Sequence, residues 1–390
     1  MNKPLHLLGF AAFAILISCS GNKNTGELPV VDVTRSYPEK ALVFQDFAEV
    51  EYIPLETGDD FIIADVQPEY VDDDYIIMVN RNQGDIMLFD RRTGKGIRRI
   101  NHQGKGPGEY PAMWKIYVAR DNGEIYVEVS DDNILVYDLN GTFKRRHDLS
   151  GHRYEVLAGY GPGRILAYEQ NLSGENGLRP FVLLSGEDMS VTKHIPVPLT
   201  ERVVMRIIPD NIPNVTLGQP LYPIHRTGDG FILSEFSADT IYRLDPENDA
   251  LTPVMVRTPA VGGMDVPASL TVAMETDRYF FMQTVKREFD GVNWDKIFPK
   301  TFLLYDKRSG DIYSQKLTDE NYGGQKSYNI APENTNNYRS GYPPHTAVFG
   351  LAALQLTDDL EAGNLSGKLK DIASGLKEDD NPVLMIVKFK

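Results

Sequence analysis

An all-β fold of six repeated four-stranded units is what this sequence predicts, on three observations. Short β-branched and aromatic runs alternate with Asn, Asp and Gly turns along nearly the whole chain, and helical patterning is scarce. The same strand and turn grammar returns with a period of about fifty residues. A spare β run at residues 47–55 belongs to no unit, while the last unit lacks one strand because the sequence stops at Lys390. Four antiparallel strands repeated radially make a propeller blade. The expected architecture is therefore a six-bladed β-propeller closed by pairing an N-terminal strand with the C-terminal blade.

The elements follow in chain order. Lys3, the apolar run 5–17 and the small Ser18 form a secretory signal pattern. The run is shorter than the roughly 20 apolar residues needed to span a bilayer. Leu16-Ile17-Ser18-Cys19 resembles a lipobox, so residues 1–18 are expected to be a lipoprotein signal peptide and Cys19 the lipidated first residue of the mature protein. Cys19 is the single cysteine, so no disulfide can form within the chain and an exported domain must rely on its core. Residues 19–40 are polar, with Gly, Asn, Thr and Pro, and are expected to form a flexible tether. Residues 41–390 are assigned to the propeller.

The blade grammar is clearest at residues 114–149. A strand over 114–119 precedes the run 123–129; the turn Asp131-Asp132-Asn133, the run 134–139, an Asn140-Gly141 turn and a strand over 142–149 follow. Comparable third strands end at Asp90, Leu184, Asp245 and Asp306, and the sixth occupies 382–389. Pairing 47–55 beside 382–389 closes the ring and removes an open sheet edge. Two separate β-sandwiches are the competing architecture; a single period through the chain argues against them.

Loop lengths are asymmetric. Turns between first and second strands, and between third and fourth, are tight and carry Asn-Gly, Asp-Gly or Ser-Gly pairs suited to short hairpins. The long connections fall between second and third strands (171–180, 285–300, 355–381) or between blades (102–110, 196–221, 318–345). Both classes emerge on one face, so the elaboration is expected on one side of the disc, where rigid scaffolds carry function. Within 355–381, Leu365, Leu369, Ile372 and Leu376 predict one amphipathic helix packed on the sixth blade, with partner binding as the alternative.

The segments Tyr52-Ile53-Pro54-Leu55-Glu56-Thr57, Gly104-Lys105-Gly106-Pro107-Gly108-Glu109-Tyr110 and 380–390 carry a wider resemblance. The blade over 104–149 resembles an NHL-like repeat, and nearly the entire mature chain resembles the six-bladed β-propeller lipoproteins of Gram-negative bacteria. That resemblance implies a propeller fold and export, and no chemistry. Val127-Glu128-Val129-Ser130-Asp131 departs from the repeat, which leaves the local turn bonding of that blade open.

Charge and motifs narrow the function. The formal charge is −15, with 40 basic and 55 acidic residues. Such a chain repels phosphate backbones, so no nucleic acid partner is expected, and membrane contact is expected only through the lipid anchor. Glycines 104, 106 and 108 lack the Gly-Lys-Ser/Thr ending of a phosphate loop; they serve either a ligand or the passage from an outer to an inner strand. His102, Lys105, Glu109 and Tyr110 are candidates for the border of the central funnel. No metal-ligand spacing stands out and no cofactor is assigned, although a propeller can bring His102, His225 and His345 toward one axis. Trp294 and Tyr342 lie in long loops, where aromatics either present a glycan-, peptide- or protein-binding surface or pin the loops. The expected function is an outer-membrane, lipid-anchored binding or scaffold module of the cell envelope, facing the periplasm or the exterior, with His102, Lys105, Glu109, Tyr110, Trp294, Tyr342 and His345 as ligand contacts. The alternative is a propeller lyase, lactonase or hydrolase with its active site in the funnel.

Overall fold

Six sheets wrap around a common axis in the computed structural model, which describes residues 27–149, 151–169, 178–209, 214–220, 222–323, 326–335 and 342–390. The signal peptide and Cys19 lie outside the described residues. Blades 1 to 5 each run in simple antiparallel order from the axis outward. Blade 1, for example, is Tyr70–Val71, Tyr75–Asn80, Asp85–Asp90 and Gly96–Asn101. Blades 2 to 5 open with Lys115–Ala119, Tyr154–Gly159, Ile224–Arg226 and Ala268–Glu275. Middle strands such as Tyr75–Asn80 are almost wholly buried because each blade packs between two others, whereas the outer strand Phe143–Asp148 is largely exposed.

The tight turns form for local reasons. At the end of the third strand of blade 1, the Asp90 carboxylate accepts hydrogen bonds from Thr93 N (2.8 Å) and Thr93 Oγ1 (2.7 Å), and Gly94 takes φ +68°. Asp138 does the same for Asn140 N and Thr142 N, both at 2.8 Å, with Gly141 at φ +86°. A short acidic side chain plus a residue tolerant of positive φ is sufficient to reverse the chain.

The N-terminal segment does more than close the ring. Strand β1 (Val30–Asp32) adds in parallel to the outer strand Leu251–Thr258 of blade 4. Strand β2 (Glu39–Val43) adds in parallel to Asp311–Thr318 of blade 5. Strand β3 (Ala48–Pro54) pairs antiparallel with Val383–Phe389 in blade 6, from Ala48 opposite Phe389 to Pro54 opposite Val383. The closure expected from the sequence is present. The tether expected over residues 19–40 is corrected from Val30 onward: that part is a strap across the rims of three successive blades. Its cause is hydrophobic, since Val31 is fully buried and Val33 nearly so, and pairing also covers two open edges.

Blade 6 has three regular strands, Thr346–Leu351, Val383–Phe389 and β3. Chain nearer the axis bonds to them irregularly, with Val348 N donating to Asn334 O at 2.8 Å. Two helices, α1 (Ala353–Glu361) and α2 (Gly367–Ala373), link its middle strands where one was expected. Leu365, Leu369, Ile372 and Leu376 pack on the core between blades 5 and 6 as their spacing predicts, and α1 adds Leu356 and Leu360. The core is six wedges, one between each pair of adjacent blades. A seventh small cluster lies among loops, outside the ring of wedges.

Candidate functional surfaces at the two faces

The predicted contacts separate into three places. The 102–110 loop lies against the outer part of blade 2, away from the axis, correcting the funnel assignment. Phe143, on the outermost strand, occupies the space a Cβ on Gly108 would need, at 2.9 Å. His102 Nε2 is 2.7 Å from Gly141 O, and the ring stacks on Tyr137 at 5.1 Å. Tyr110 is fully buried between blades 1 and 2 and donates to Gly84 O at 2.7 Å. The Glu109 carboxylate accepts from Gly106 N at 2.8 Å and so holds the glycine turn shut, while Lys105 remains exposed. The close approach of the Phe143 ring to Gly108 and of the Glu109 carboxylate to Gly104 fits strand-to-strand passage.

Tyr342 and His345 also move from the expected face. Tyr342 is buried, donates to Pro68 O at 2.9 Å, and borders a cavity at the tight-turn end of the axis. His345 has φ +60° and lies beside Gly228, in a groove with Asp229, Arg243, Glu275 and Lys307. The reason is position: Asn334 lies beside Val348 at the inner edge of blade 6, and the strand Thr346–Leu351 starts at its tight-turn end, so the residues just before it lie on the tight-turn side. His225 is buried in the first strand of blade 4. His102, His225 and His345 therefore do not converge. Among the described residues, no group of three or more His, Cys, Asp or Glu side chains is arranged to hold a metal ion.

Trp294 is on the long-loop face and half exposed, with its ring 5.3 Å from Phe289. Three connections meet there, over blades 4 and 5. Arg287 N donates to Pro267 O (2.8 Å), and Arg287 Nη1 to Val204 O (3.2 Å). Beneath them, Met205, Phe236, Val261, Val285 and Phe298 form the seventh cluster. Above it, Val204, Ile208, Val266, Val292 and Trp294 stand exposed, Ile208 at 73 % and Val292 at 80 %. Ile62, Trp114 and Leu354 are exposed in other connections of this face, whereas no exposed large apolar residue among the described ones occupies a tight turn. The loop-length reading identified Trp294 but passed over Val204, Ile208 and Val292. Their signal was available as apolar side chains in otherwise polar loops.

Behind this surface, Tyr168, Ser234, Ser269, Thr271 and Gln283 line a small cavity. The cavity at the opposite end of the axis is narrow and open to solvent, and is lined by first-strand residues of blades 1 to 4, with Tyr342 and Pro343. Arg120, Arg164 and Arg226 all reach it. No sequence argument had selected these arginines.

Residues 28–258, from the strap through blade 4, match the model of a domain of unknown function, DUF4934. No curated protein matches the chain. A crystal structure of a candidate exported protein from Bacteroides fragilis NCTC 9343 is 16 % identical, with a TM-score of 0.63, over 93 % of this chain and 99 % of that one. The likeness is one of fold. A DUF4221 family member from Bacteroides vulgatus ATCC 8482 is 12 % identical over 88 % and 97 % of the two chains, with a TM-score of 0.45.

Proposed function

The chain belongs to the DUF4934 family, and from that starting point we propose that it is an exported, lipid-anchored binding module that docks a partner protein on its long-loop face. The observation that carries this reading is the apolar surface of Val204, Ile208, Val266, Val292 and Trp294 above its own small core. Exposed apolar side chains scattered singly need no explanation, but five on three interlocked loops mark an interaction surface. A rigid support matters because docking then costs little ordering of the loops. Trp294 supplies the large aromatic that dominates many interfaces.

Export rests on the signal pattern at residues 1–18, the lipid anchor on Cys19, and outer-membrane attachment on the resemblance to envelope propeller lipoproteins. Two observations are consistent with them: a fold relative carries an exported-protein name, and no helix among the described residues is long and apolar enough to cross a membrane. The acidic balance disfavours a polyanionic partner at this face.

Photo-crosslinking in cells tests the docking face. A photoreactive residue at Ile208 or Val292 is expected to give one discrete protein adduct, lost when Trp294→Ala is added. The same probe at Glu247, in a tight turn, is expected to give none. Adducts from Glu247 alone would place docking on the wrong side of the disc.

A further inference from the structure

The tight-turn end of the propeller axis carries a second site, independent of the docking face. Four consecutive blades line its cavity with the C-terminal ends of their first strands or the turns that follow. Arg120, Arg164 and Arg226 converge there from blades 2, 3 and 4. Two of the guanidinium groups are held by neighbours. Arg120 Nε is 2.7 Å from Asp72 Oδ2, and the group lies 4.9 Å from the ring centre of Tyr75. Arg164 lies 4.8 Å from the ring centre of Tyr160, with Asp249 at 3.6 Å. Arg226 differs: it is exposed to the cavity and makes no ion pair among the described residues. An unpaired guanidinium at the mouth of a cavity presents a planar fork of donors that matches a carboxylate or phosphate.

We propose that this cavity binds a small molecule carrying a carboxylate or phosphate group, with Arg226 as its principal anion contact and Arg120 and Arg164 flanking it. The cavity's narrowness argues for a compact ligand: the inner strands of four blades bound it so closely that only the anionic head of a small molecule would enter. The charge argues the same way. A net −15 opposes a polyanion at long range, while the guanidinium of Arg226, which makes no ion pair among the described residues, still attracts a compact anion at contact distance. The remaining lining fits the non-ionic part of such a ligand. Val71 and Ile165 are among its apolar lining residues, and Tyr117 and Asn122 among its polar ones.

Calorimetric titration of the full chain with succinate and with inorganic phosphate, at matched ionic strength and with erythritol as neutral control, tests the site. At least one anion is expected to bind, and erythritol is not. Succinate alone assigns a carboxylate ligand, phosphate alone a phosphate one. Arg226→Ala is expected to weaken binding about tenfold or more, and Arg226→Lys by less, because the charge survives while the planar fork is lost. Melting temperature without anion should be unchanged in both variants, because the side chain is exposed. Arg92→Ala, in a tight turn of the same face, should bind as the wild type does. Failure of both anions at about 10 mM, a level weaker than ordinary metabolite sites, overturns the proposal. So does equal weakening by Arg92→Ala, which would make the effect one of general charge.

Discussion

Asn381 should be one of the costliest single polar side chains to remove, because it ties the chain's two ends together. It is 4 % exposed and lies just before the closing strand Val383–Phe389. Its Oδ1 accepts from Ile63 N at 2.9 Å, and its Nδ2 donates to Glu56 O at 2.6 Å and to Phe61 O. All three partners are backbone groups of the segment joining the closing strand β3 to blade 1. Asn381→Ala removes three neutral hydrogen bonds, each with a net value of about 1 kcal/mol, and leaves partly buried backbone groups unpaired, so a loss of roughly 3–4 kcal/mol is expected. Unfolding entropy is about 2.1 cal/mol/K per residue. For a propeller of this size the melting temperature should therefore fall by about 4–5 °C. Asn381→Asp should be at least as costly at neutral pH, because it sets a carboxylate oxygen against two carbonyl oxygens. Scanning calorimetry of the wild type and both variants measures this. A fall of less than about 1 °C, on the same entropy scale, would refute the reasoning and mean that the segment between β3 and blade 1 is held by something else.

Three other perturbations extend the test. Gly350→Ala would put a Cβ 1.9 Å from Val66 O, a backbone atom that cannot swing aside; urea unfolding should show a loss above about 2 kcal/mol, and wild-type stability would show that the 56–69 segment yields freely. Burial raises the pKa of Glu124, but Arg145, Lys144 and Tyr126 outweigh it and hold the carboxyl down at about 2 against an ordinary 4.5. A folded pKa below the unfolded one gives stability that is full above pH 4.5 and lost as pH falls toward 2, here on the order of 3 kcal/mol. Glu124→Gln should lower stability at pH 7 and flatten the acid limb of an unfolding series, and an unchanged limb would remove Glu124 from the account. Cys19→Ser should release the chain from the membrane fraction or leave it unprocessed, and a processed variant that still sediments with membranes would exclude the anchor.

The face carrying each group marks the division between what was legible and what was not. Turn chemistry is local: Asp90, Thr93 and Gly94 bond within four residues, so alternation and turn residues were enough to count six blades. The spare strand at 47–55 was equally readable, because a ring with an unpaired edge has one evident complement. The exposure of Trp294 on the long-loop face was legible as an aromatic in a long connection. Other features depended on distant parts of the chain. Nothing near Val30 shows that blade 4 lies beside it, so a paired strap read as a tether. Tyr110 looked like a funnel residue until blades 1 and 2 closed over its ring. Tyr342 and His345 sit in a long connection, yet the side on which they emerge depends on how the chain crosses blade 6. The arginines left a faint regularity, since Arg120, Arg164 and Arg226 each lie at or just beside a first turn, but only blade twist and ring closure bring three such positions to one cavity. Local bonding is encoded within a few residues and is therefore readable along the chain. A site shared among four blades is set by the geometry of the closed ring, which only the tertiary structure supplies.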